Sequence, residues 1–206
     1  MKLTCTLLIL FCMINLAKPC AQESKLHWQV AAKLPSTPKD YAFGVAGAIG
    51  GVHNNVLLIG GGANFPNEKP WEGGKKKYYN HLFVYHLGLP NITAHSFVFA
   101  LPEPIAYSAV CSTPHGIFYA GGENEEGVSL QSHLITWDTV QSSIGIKKMP
   151  PLPHAITNAS AVFQDEKIIV VGGDGNKGTS DQVYVLDLKN VEAGWDLLPP
   201  LPKPAA

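Results

Sequence analysis

Short runs of apolar residues, each closed by turn residues, alternate along the chain. A run of four apolar residues followed by a glycine pair recurs three times, as "VLLIGGG" at 56–62, "IFYAGG" at 117–122 and "IIVVGGD" at 168–174. Runs of β-branched, aliphatic and aromatic residues that end at glycines are typical of strands, and no helical period follows the N-terminal apolar stretch. The pattern therefore predicts an all-β protein.

Each glycine pair stands between two further apolar strands. The preceding strands are "AFGVAGAIGG" (42–51), "AYSAVCS" (106–112) and "NASAVFQ" (158–164). The following strands, which end on a polar residue, are "HLFVYH" (81–86), "HLITWD" (133–138) and "QVYVLD" (182–187). A Leu-Pro pair punctuates the units at 34–35, 101–102, 152–153 and 201–202. Four-stranded antiparallel units repeated at about fifty residues predict blades of a kelch-type β-propeller.

These repeats divide the chain into segments. We predict a signal peptide at 1–21, an outer strand at 27–35, blades at 42–102, 105–153 and 157–202, and the start of a missing blade at 203–206. Propellers typically need about four to eight blades, and three are too few. Either the chain is incomplete, or two copies form one ring as a homodimer.

The first repeat is longer than the others because it carries an insertion at 63–77, which is rich in glycine and lysine and contains Trp71. In a propeller, loops of this kind open on the same face as the loops between blades. The residues directly after each glycine pair are expected on that face; they are Ala63, Glu123 and Asp174. A charged, aromatic loop there predicts a ligand lid, and the alternative is a solvated surface hairpin.

Composition excludes several classes of protein. The chain is 46% hydrophobic and 15% charged, which suits a globular protein. Its net charge is −1, so no nucleic-acid-binding face is implied. All fifteen of its Lys and Arg residues are lysines. The eight histidines are scattered without metal-ligand spacing, and no phosphate-binding loop appears. We therefore expect neither a metal nor a cofactor.

The N-terminus predicts export. Lys2 precedes an apolar stretch at 3–17 that is too short to span a bilayer comfortably, and Ala21 offers a small residue for cleavage. We expect a soluble periplasmic or secreted protein that begins near Gln22, with no membrane association after cleavage. Lipidation of Cys20 is less favoured, because Lys18 and Pro19 precede it.

The stretch "GGGANFPNEKPWEGGKKKYYNHLFVY" (60–85) resembles the cyclically permuted mutarotases, kelch proteins related to bacterial N-acetylneuraminate epimerase. The repeats around "IFYAGGEN" and "IIVVGGDGNKG" fit the blades that would follow, so the resemblance covers 27–206. It implies a six-bladed ring in which the 27–35 strand completes the last blade. It also implies an isomerase that interconverts the α and β anomers of sialic acid by acid/base ring opening and closure.

The implied reaction needs a general acid/base and a cation for the carboxylate of a small sugar acid. The resemblance implies a Glu after a glycine turn with an Arg six residues later. Glu123 is the best acid in this chain, but the chain has no arginine, so the pair is expected beyond Ala206 and the isolated chain is expected to be inactive. The candidate substrate-binding residues are Asn64, Lys75, Lys76 and Glu123. The alternative is a non-catalytic kelch module that binds a glycan or a protein through its channel face.

Overall fold

The computed structural model describes residues 26, 28, 30, 32–34, 44–88, 92–95 and 97–206. The chain divides into two compact units, Met1–Val30 and Ala31–Ala206. In the first unit, the described side chains of Leu26, Trp28 and Val30 are exposed. The predicted signal peptide lies outside the described residues. Among the residues that are described, no helix is long and apolar enough to cross a membrane.

The first repeat forms one sheet and a small hairpin. Its described strands are β1 (Ile49–His53), β2 (Val56–Gly60), β3 (Ala63–Asn64), β4 (Lys77–Tyr78), β5 (His81–Leu87), β6 (Ile92–Ala94) and β7 (Phe99–Ala100). The first sheet has the order β1-β2-β5-β6, with β7 also paired to β5. Asn54 and Asn55 close the β1–β2 hairpin with φ values of +47° and +61°, which suit the turn that asparagine favours. The insertion forms the β3–β4 hairpin, and a 3₁₀ turn at Pro70–Glu72 lies within it.

The second repeat has the same plan. Its strands are β8 (Ala109–Thr113), β9 (Gly116–Ala120), β10 (Glu123–Asn124), β11 (Gly127–Val128), β12 (Ser132–Asp138) and β13 (Ser143–Met149). The second sheet has the order β8-β9-β12-β13, and β10 pairs with β11 in a short hairpin. This hairpin occupies the place that the longer insertion takes in the first repeat.

The third repeat follows the second closely. Its strands are β14 (Ser160–Gln164), β15 (Lys167–Val171), β16 (Asp174–Gly175), β17 (Gly178–Thr179), β18 (Val183–Asp187) and β19 (Trp195–Leu198), with a 3₁₀ turn at Val191–Ala193. The third sheet has the order β14-β15-β18-β19, and β16 pairs with β17. All strand pairs in these sheets are antiparallel.

Apolar side chains fill the spaces between successive sheets. Leu58, Leu82 and Val84 of the first sheet pack in one cluster with Ile117 and Ile135 of the second. In the same way, Phe118 and Leu134 of the second sheet share a cluster with Ile168, Val170 and Leu186 of the third. The first strands of neighbouring sheets are in contact: β1 contacts β8, and β8 contacts β14. Face-to-face sheets that meet along their first strands define a propeller-type arrangement, so the predicted all-β propeller fold is confirmed.

The glycine pair fixes the end of each second strand against a later part of the chain. The amides of Gly62, Gly122 and Gly173 each donate a 2.8 Å hydrogen bond to a carbonyl just after the next Leu-Pro pair, on Ile105, Ile156 and Ala205 respectively. The preceding glycines have a φ of +64° in all three repeats. A Cβ atom on Gly121 would also collide with the carbonyl oxygen of Ile156. Only glycine tolerates this combination of backbone angle and close approach, so the pair is structural.

Lys33 and Leu34 contact the first repeat. Leu34 packs on the cluster of Tyr79, Phe83 and Tyr85, and the Tyr85 hydroxyl donates a 3.0 Å hydrogen bond to the Lys33 carbonyl. The described residues between 26 and 34 have no strand assignment. Completion of a last blade by the 27–35 segment therefore stays a prediction.

The third sheet shows how a tryptophan joins neighbouring repeats. The Trp195 indole donates a 2.8 Å hydrogen bond to the Pro150 carbonyl, and its ring centroid lies 6.0 Å from that of Phe118. Both partners belong to the second repeat. Trp195 of the third sheet thus packs against the second repeat.

Candidate functional site

The residue after each glycine pair occupies the same backbone position in all three repeats. These residues are Ala63, Glu123 and Asp174, and each forms an isolated antiparallel bridge with the residue three positions before a first strand: Ala46, Ala106 and Thr157. The two residues of every bridge are joined by backbone hydrogen bonds of 2.7 to 3.0 Å. The repeat therefore presents one side chain per sheet at a common place, and an acid stands there in the second and third sheets.

Next to these positions, a second set of residues links the sheets. The Tyr107 amide donates to the Gly47 carbonyl at 2.8 Å, and the Asn158 amide donates to the Tyr107 carbonyl at 2.9 Å. The φ values of Gly47, Tyr107 and Asn158 are +64°, +60° and +56°. Glycine and asparagine adopt this left-handed conformation readily, whereas a bulky tyrosine seldom does. Strain of this kind is concentrated at functional sites, which draws attention to Tyr107.

Glu123 receives two hydrogen bonds from the first repeat, at the end of its insertion. The Lys76 ammonium lies 3.0 Å from Glu123 Oε1 as an ion pair, and the Tyr78 hydroxyl donates to the same oxygen at 2.7 Å. The Lys76 Nζ also lies 5.0 Å from the centroid of the Tyr107 ring. We call Lys76, Tyr78, Tyr107 and Glu123 the carboxylate cluster. It joins the first and second sheets at the expected position of the ligand lid.

The electrostatics of the carboxylate cluster favour a charged pair. Partial burial by itself would raise the pKa of Glu123, but the hydrogen bonds from Tyr78 and Lys76 and the charge of Lys76 outweigh it and lower that pKa. Burial would likewise lower the pKa of Lys76, but the bond and charge of Glu123 raise it. The pKa of the Tyr78 hydroxyl is raised by burial first and by its bond to Glu123 second. At neutral pH, Glu123 is therefore an ionised acceptor held by a protonated lysine and a neutral phenol.

The other two candidate residues lie elsewhere in the insertion. The Asn64 side chain accepts a 2.7 Å hydrogen bond from the Tyr79 hydroxyl and donates one of 2.8 Å to the Gly44 carbonyl. These contacts hold the base of the insertion. Lys75 is exposed. Of the four predicted substrate-binding residues, the structure thus brings Lys76 and Glu123 together. A role in substrate binding stays a prediction for all four.

Two members of the carboxylate cluster, Tyr78 and Tyr107, were not predicted as site residues. Lys76 and Tyr78 are two positions apart at the β4 strand, so their side chains share a face, and this spacing was visible in the sequence. Tyr107 stands where the other repeats have Gly47 and Asn158. Aligning the repeats with one another would have shown a tyrosine in a column of residues that favour turns.

Asp174, the counterpart of Glu123 in the third repeat, has different partners. Its carboxylate accepts hydrogen bonds from the Thr179 hydroxyl at 2.7 Å and from the side-chain amide of Asn158 at 3.1 Å. Both donors are neutral and belong to the same repeat. A cavity of about 470 Å³ borders Gly175 and Thr179 and is lined further by His154, Lys177, Asp181 and Tyr184. It does not include any member of the carboxylate cluster.

Within the described part of the chain, no group of three or more His, Cys, Asp or Glu residues could hold a metal ion. Cys111, in strand β8, carries a free thiol, and burial raises the pKa of that thiol to about 11. A thiol with that pKa is a poor nucleophile at neutral pH. The side chains of the carboxylate cluster supply a carboxylate, an ammonium and two phenol groups.

Comparison with known proteins gives the same class as the fold. No profile of a known protein family matches the chain. The solved structure of YjhT superposes with a TM-score of 0.63 over 89% of this chain and 58% of that chain, at 15% sequence identity. That likeness supports the propeller-type fold alone.

Sequence comparison finds relatives that share one name. The chain is 34% identical over 121 residues to the N-acetylneuraminate epimerase of Salmonella typhi, which is 53% of this chain and 30% of that protein. It is 31% identical over 123 residues to the N-acetylneuraminate epimerase of Vibrio cholerae serotype O1, again 30% of that protein. The match spans about a third of the length of these curated relatives. The resemblance predicted from the sequence is thereby confirmed.

Proposed function

We propose that this chain supplies part of a kelch-type propeller that interconverts the α and β anomers of sialic acid. The observation that carries the proposal is the 34% identity to N-acetylneuraminate epimerase. The carboxylate cluster supports it, because it places a cation, a phenol and a carboxylate together at the junction of two sheets. A sugar acid needs donors for its carboxylate and hydroxyl groups, and these residue types provide them.

The reaction requires two proton transfers. A base removes the proton of the anomeric hydroxyl while an acid protonates the ring oxygen, which opens the ring to the keto form. Rotation about the adjacent bond and the reverse transfers close the ring as the other anomer. An acid/base residue works best with a pKa near the working pH. The pKa of Glu123 is instead lowered by Tyr78 and Lys76 against the raising effect of burial, so Glu123 alone does not meet this requirement while that pair holds.

We therefore assign binding to the residues of this chain and expect the main acid/base pair in another part of the ring. The exported compartment remains our proposed location. We expect the 206 residues alone not to speed anomer exchange, because a lysine replaces the bidentate guanidinium of an arginine poorly.

A second candidate function is binding without turnover. The engagement of Glu123 by Lys76 favours it, since an ionised, paired carboxylate suits recognition better than proton transfer. In that case the propeller is a kelch module that holds a glycan through the same face.

Ligand-observed NMR separates these functions. Saturation transfer from the protein to N-acetylneuraminate should be clear, and transfer to the neutral sugar N-acetylglucosamine should be weak. Two-dimensional exchange spectra of the anomers then report turnover by the chain and by any longer form read from the gene. Equal transfer to both sugars would contradict the proposed ligand. Binding of N-acetylneuraminate without faster exchange in the longer form would establish the binding module instead.

A further inference from the structure

The carboxylate cluster has the make-up of a site built for a carboxylate. The Lys76 ammonium and the Tyr78 hydroxyl converge on the single oxygen Oε1 of Glu123, at 3.0 and 2.7 Å. A lysine ammonium has three donors and a phenol has one, so both are suited to an anionic oxygen. Hydrogen bonds of this charge-assisted kind are about twice as strong as neutral ones.

Aromatic rings hold Lys76 in place for this contact. Its Nζ lies 5.0 Å from the Tyr107 ring centroid and 5.6 Å from that of Tyr78, within the range of cation–π attraction. The Tyr107 ring in turn lies directly on Gly47, where any Cβ atom would overlap the ring. Tyr107 keeps a left-handed φ of +60° to occupy this place. Lys76 is therefore held by contacts with two rings as well as by Glu123.

The cluster is also open to solvent. The side chains of Lys76 and Glu123 retain 33% and 25% of their exposure. A small anion from solution can therefore reach the ammonium, and Glu123 can leave it without being transferred into an apolar interior. Asp174 in the next sheet has no comparable pair of donors, since its partners are an amide and a neutral hydroxyl.

We propose that Lys76 and Tyr78 form a carboxylate-binding site that Glu123 of the chain itself occupies, and that the carboxylate of a ligand enters by displacing Glu123. The inference rests on the proposed function for the identity of the ligand as a sugar acid. The exchange of one carboxylate for another follows from the geometry alone.

Displacement has a consequence for Glu123. Once Tyr78 and Lys76 have turned to the ligand, the bonds that lower the pKa of Glu123 are lost, and the raising effect of burial remains. The pKa of the released carboxyl group is then higher than that of the paired one, so the released group is better suited to carry a proton. Binding of the ligand carboxylate would thus convert a counter-ion into an acid/base group beside the ligand.

Chemical rescue tests the exchange. Glu123→Ala removes the CH2–COO⁻ group, which has the size of acetate, and leaves Lys76 and Tyr78 without their acceptor. We expect amide hydrogen exchange in residues 63–77 to become about tenfold faster, since a bond to a charged group is worth about that factor or more. Acetate should return the exchange rate toward the wild-type value, and sodium chloride at equal ionic strength should not.

Two variants serve as controls. Asp174→Ala removes the equivalent acid of the third repeat, and acetate should not restore protection there, because no ammonium faces that position among its described partners. Glu123→Ala combined with Lys76→Met should lose the rescue. If Glu123→Ala does not fold, Glu123→Gln keeps the shape, and acetate should then shift the Lys76 side-chain NMR signals of that variant more than those of the wild type.

Failure of the inference differs from failure of the proposed function. Equal effects of acetate and chloride, or equal rescue of Asp174→Ala, would overturn the carboxylate site. If acetate restores slow hydrogen exchange but N-acetylneuraminate does not compete with acetate for the site, the carboxylate site stands and sialic acid is rejected as its ligand. Competition by N-acetylneuraminate but not by N-acetylglucosamine would support both.

Discussion

Glu123 and Asp174 occupy the same backbone position in neighbouring sheets, yet their surroundings differ. Each follows a glycine pair, bridges to a residue before the first strand, and begins a two-residue strand, paired with Val128 or with Thr179. Glu123 is held by Lys76 and Tyr78, which come from the preceding repeat. Asp174 is held by Asn158 and Thr179 of its own repeat.

The difference shows which part of the molecule sets the chemistry. The repeat places an acid at the end of the second strand, but the donors that reach it come from whatever loop the previous repeat supplies. Only the first repeat carries the 63–77 insertion, and its end brings Lys76 and the adjoining Tyr78 to Glu123. Tyr107, whose ring lies near Lys76, comes from the second repeat itself. A repeated scaffold thus provides equivalent positions, and one insertion makes one of them distinct.

The largest effect is expected from the scaffold that both acids share. Gly121→Ala places a Cβ atom on a residue with a φ of +64°, against the Ile156 carbonyl oxygen. We expect a loss of about 2 to 4 kcal/mol in the free energy of unfolding, from backbone strain together with the collision. Chemical denaturation measures it.

Gly44→Ala is the matched control for that change, because Gly44 also has a left-handed φ, +73°, but no atom within 4 Å of the added Cβ. Its cost should be clearly smaller. Equal costs for the two variants would show that the collision with the next repeat is unimportant.

A smaller change in the free energy of unfolding should distinguish Glu123 from Asp174. Glu123→Gln leaves Lys76 without a counter-charge, and we expect a loss of about 0.5 to 1 kcal/mol at low salt. High salt should shrink this loss, because it screens a half-exposed ion pair. Asp174→Asn disturbs bonds to neutral donors, so its cost should depend less on salt. Thermal unfolding at two ionic strengths measures both, and the same salt response in both variants would remove the distinction between the acids.

The ion pair also predicts a pH dependence. The pKa of Glu123 in the folded chain lies below its ordinary value of 4.5, because the bonds to Tyr78 and Lys76 outweigh burial. Its stabilising contribution is therefore complete above pH 4.5 and is lost as the pH falls through the folded value. The difference in stability between the wild type and Glu123→Gln should be constant near neutral pH and should vanish in acid. A difference that grows in acid would have the wrong sign for this pair.

The smallest change in stability is expected at Tyr107. Tyr107→Asn installs the residue that the third repeat has at this position and relieves the left-handed backbone, a gain of about 0.5 kcal/mol. It also removes the ring beneath Lys76, which costs about as much. The melting temperature should hardly change, while hydrogen exchange in residues 63–77 should become faster. A large fall in melting temperature with unchanged exchange would make Tyr107 a packing residue only.

Much of the fold could be predicted from the sequence because strand and turn signals are local. Runs such as Val56 to Ile59, followed by glycines, mark a strand and the point at which it ends. The repetition of these signals identified the sheets, and the glycine pair was interpreted correctly as a turn. The residues after each glycine pair could therefore be placed together on one face from the repeat pattern alone.

The contacts that make up the carboxylate cluster could not be predicted in the same way. Glu123 and Lys76 were each candidates from the sequence and its family resemblance, but they are 47 positions apart, and the sequence carried no sign that they form a pair. Tyr78 was overlooked as the second donor and Tyr107 as the ring beneath the ammonium. These contacts depend on how the insertion of one repeat lies against the next sheet.

The sequence by itself determined the strands, the glycine turns and the position of an acid in the second and third repeats. Only the tertiary structure decided that Lys76 and Tyr78 share one oxygen of Glu123, whereas Asp174 is left with neutral partners. The physical reason is distance: backbone preferences act over a few residues, while charge and hydrogen bonding act between whatever side chains the packing of sheets brings within about 3 Å of each other.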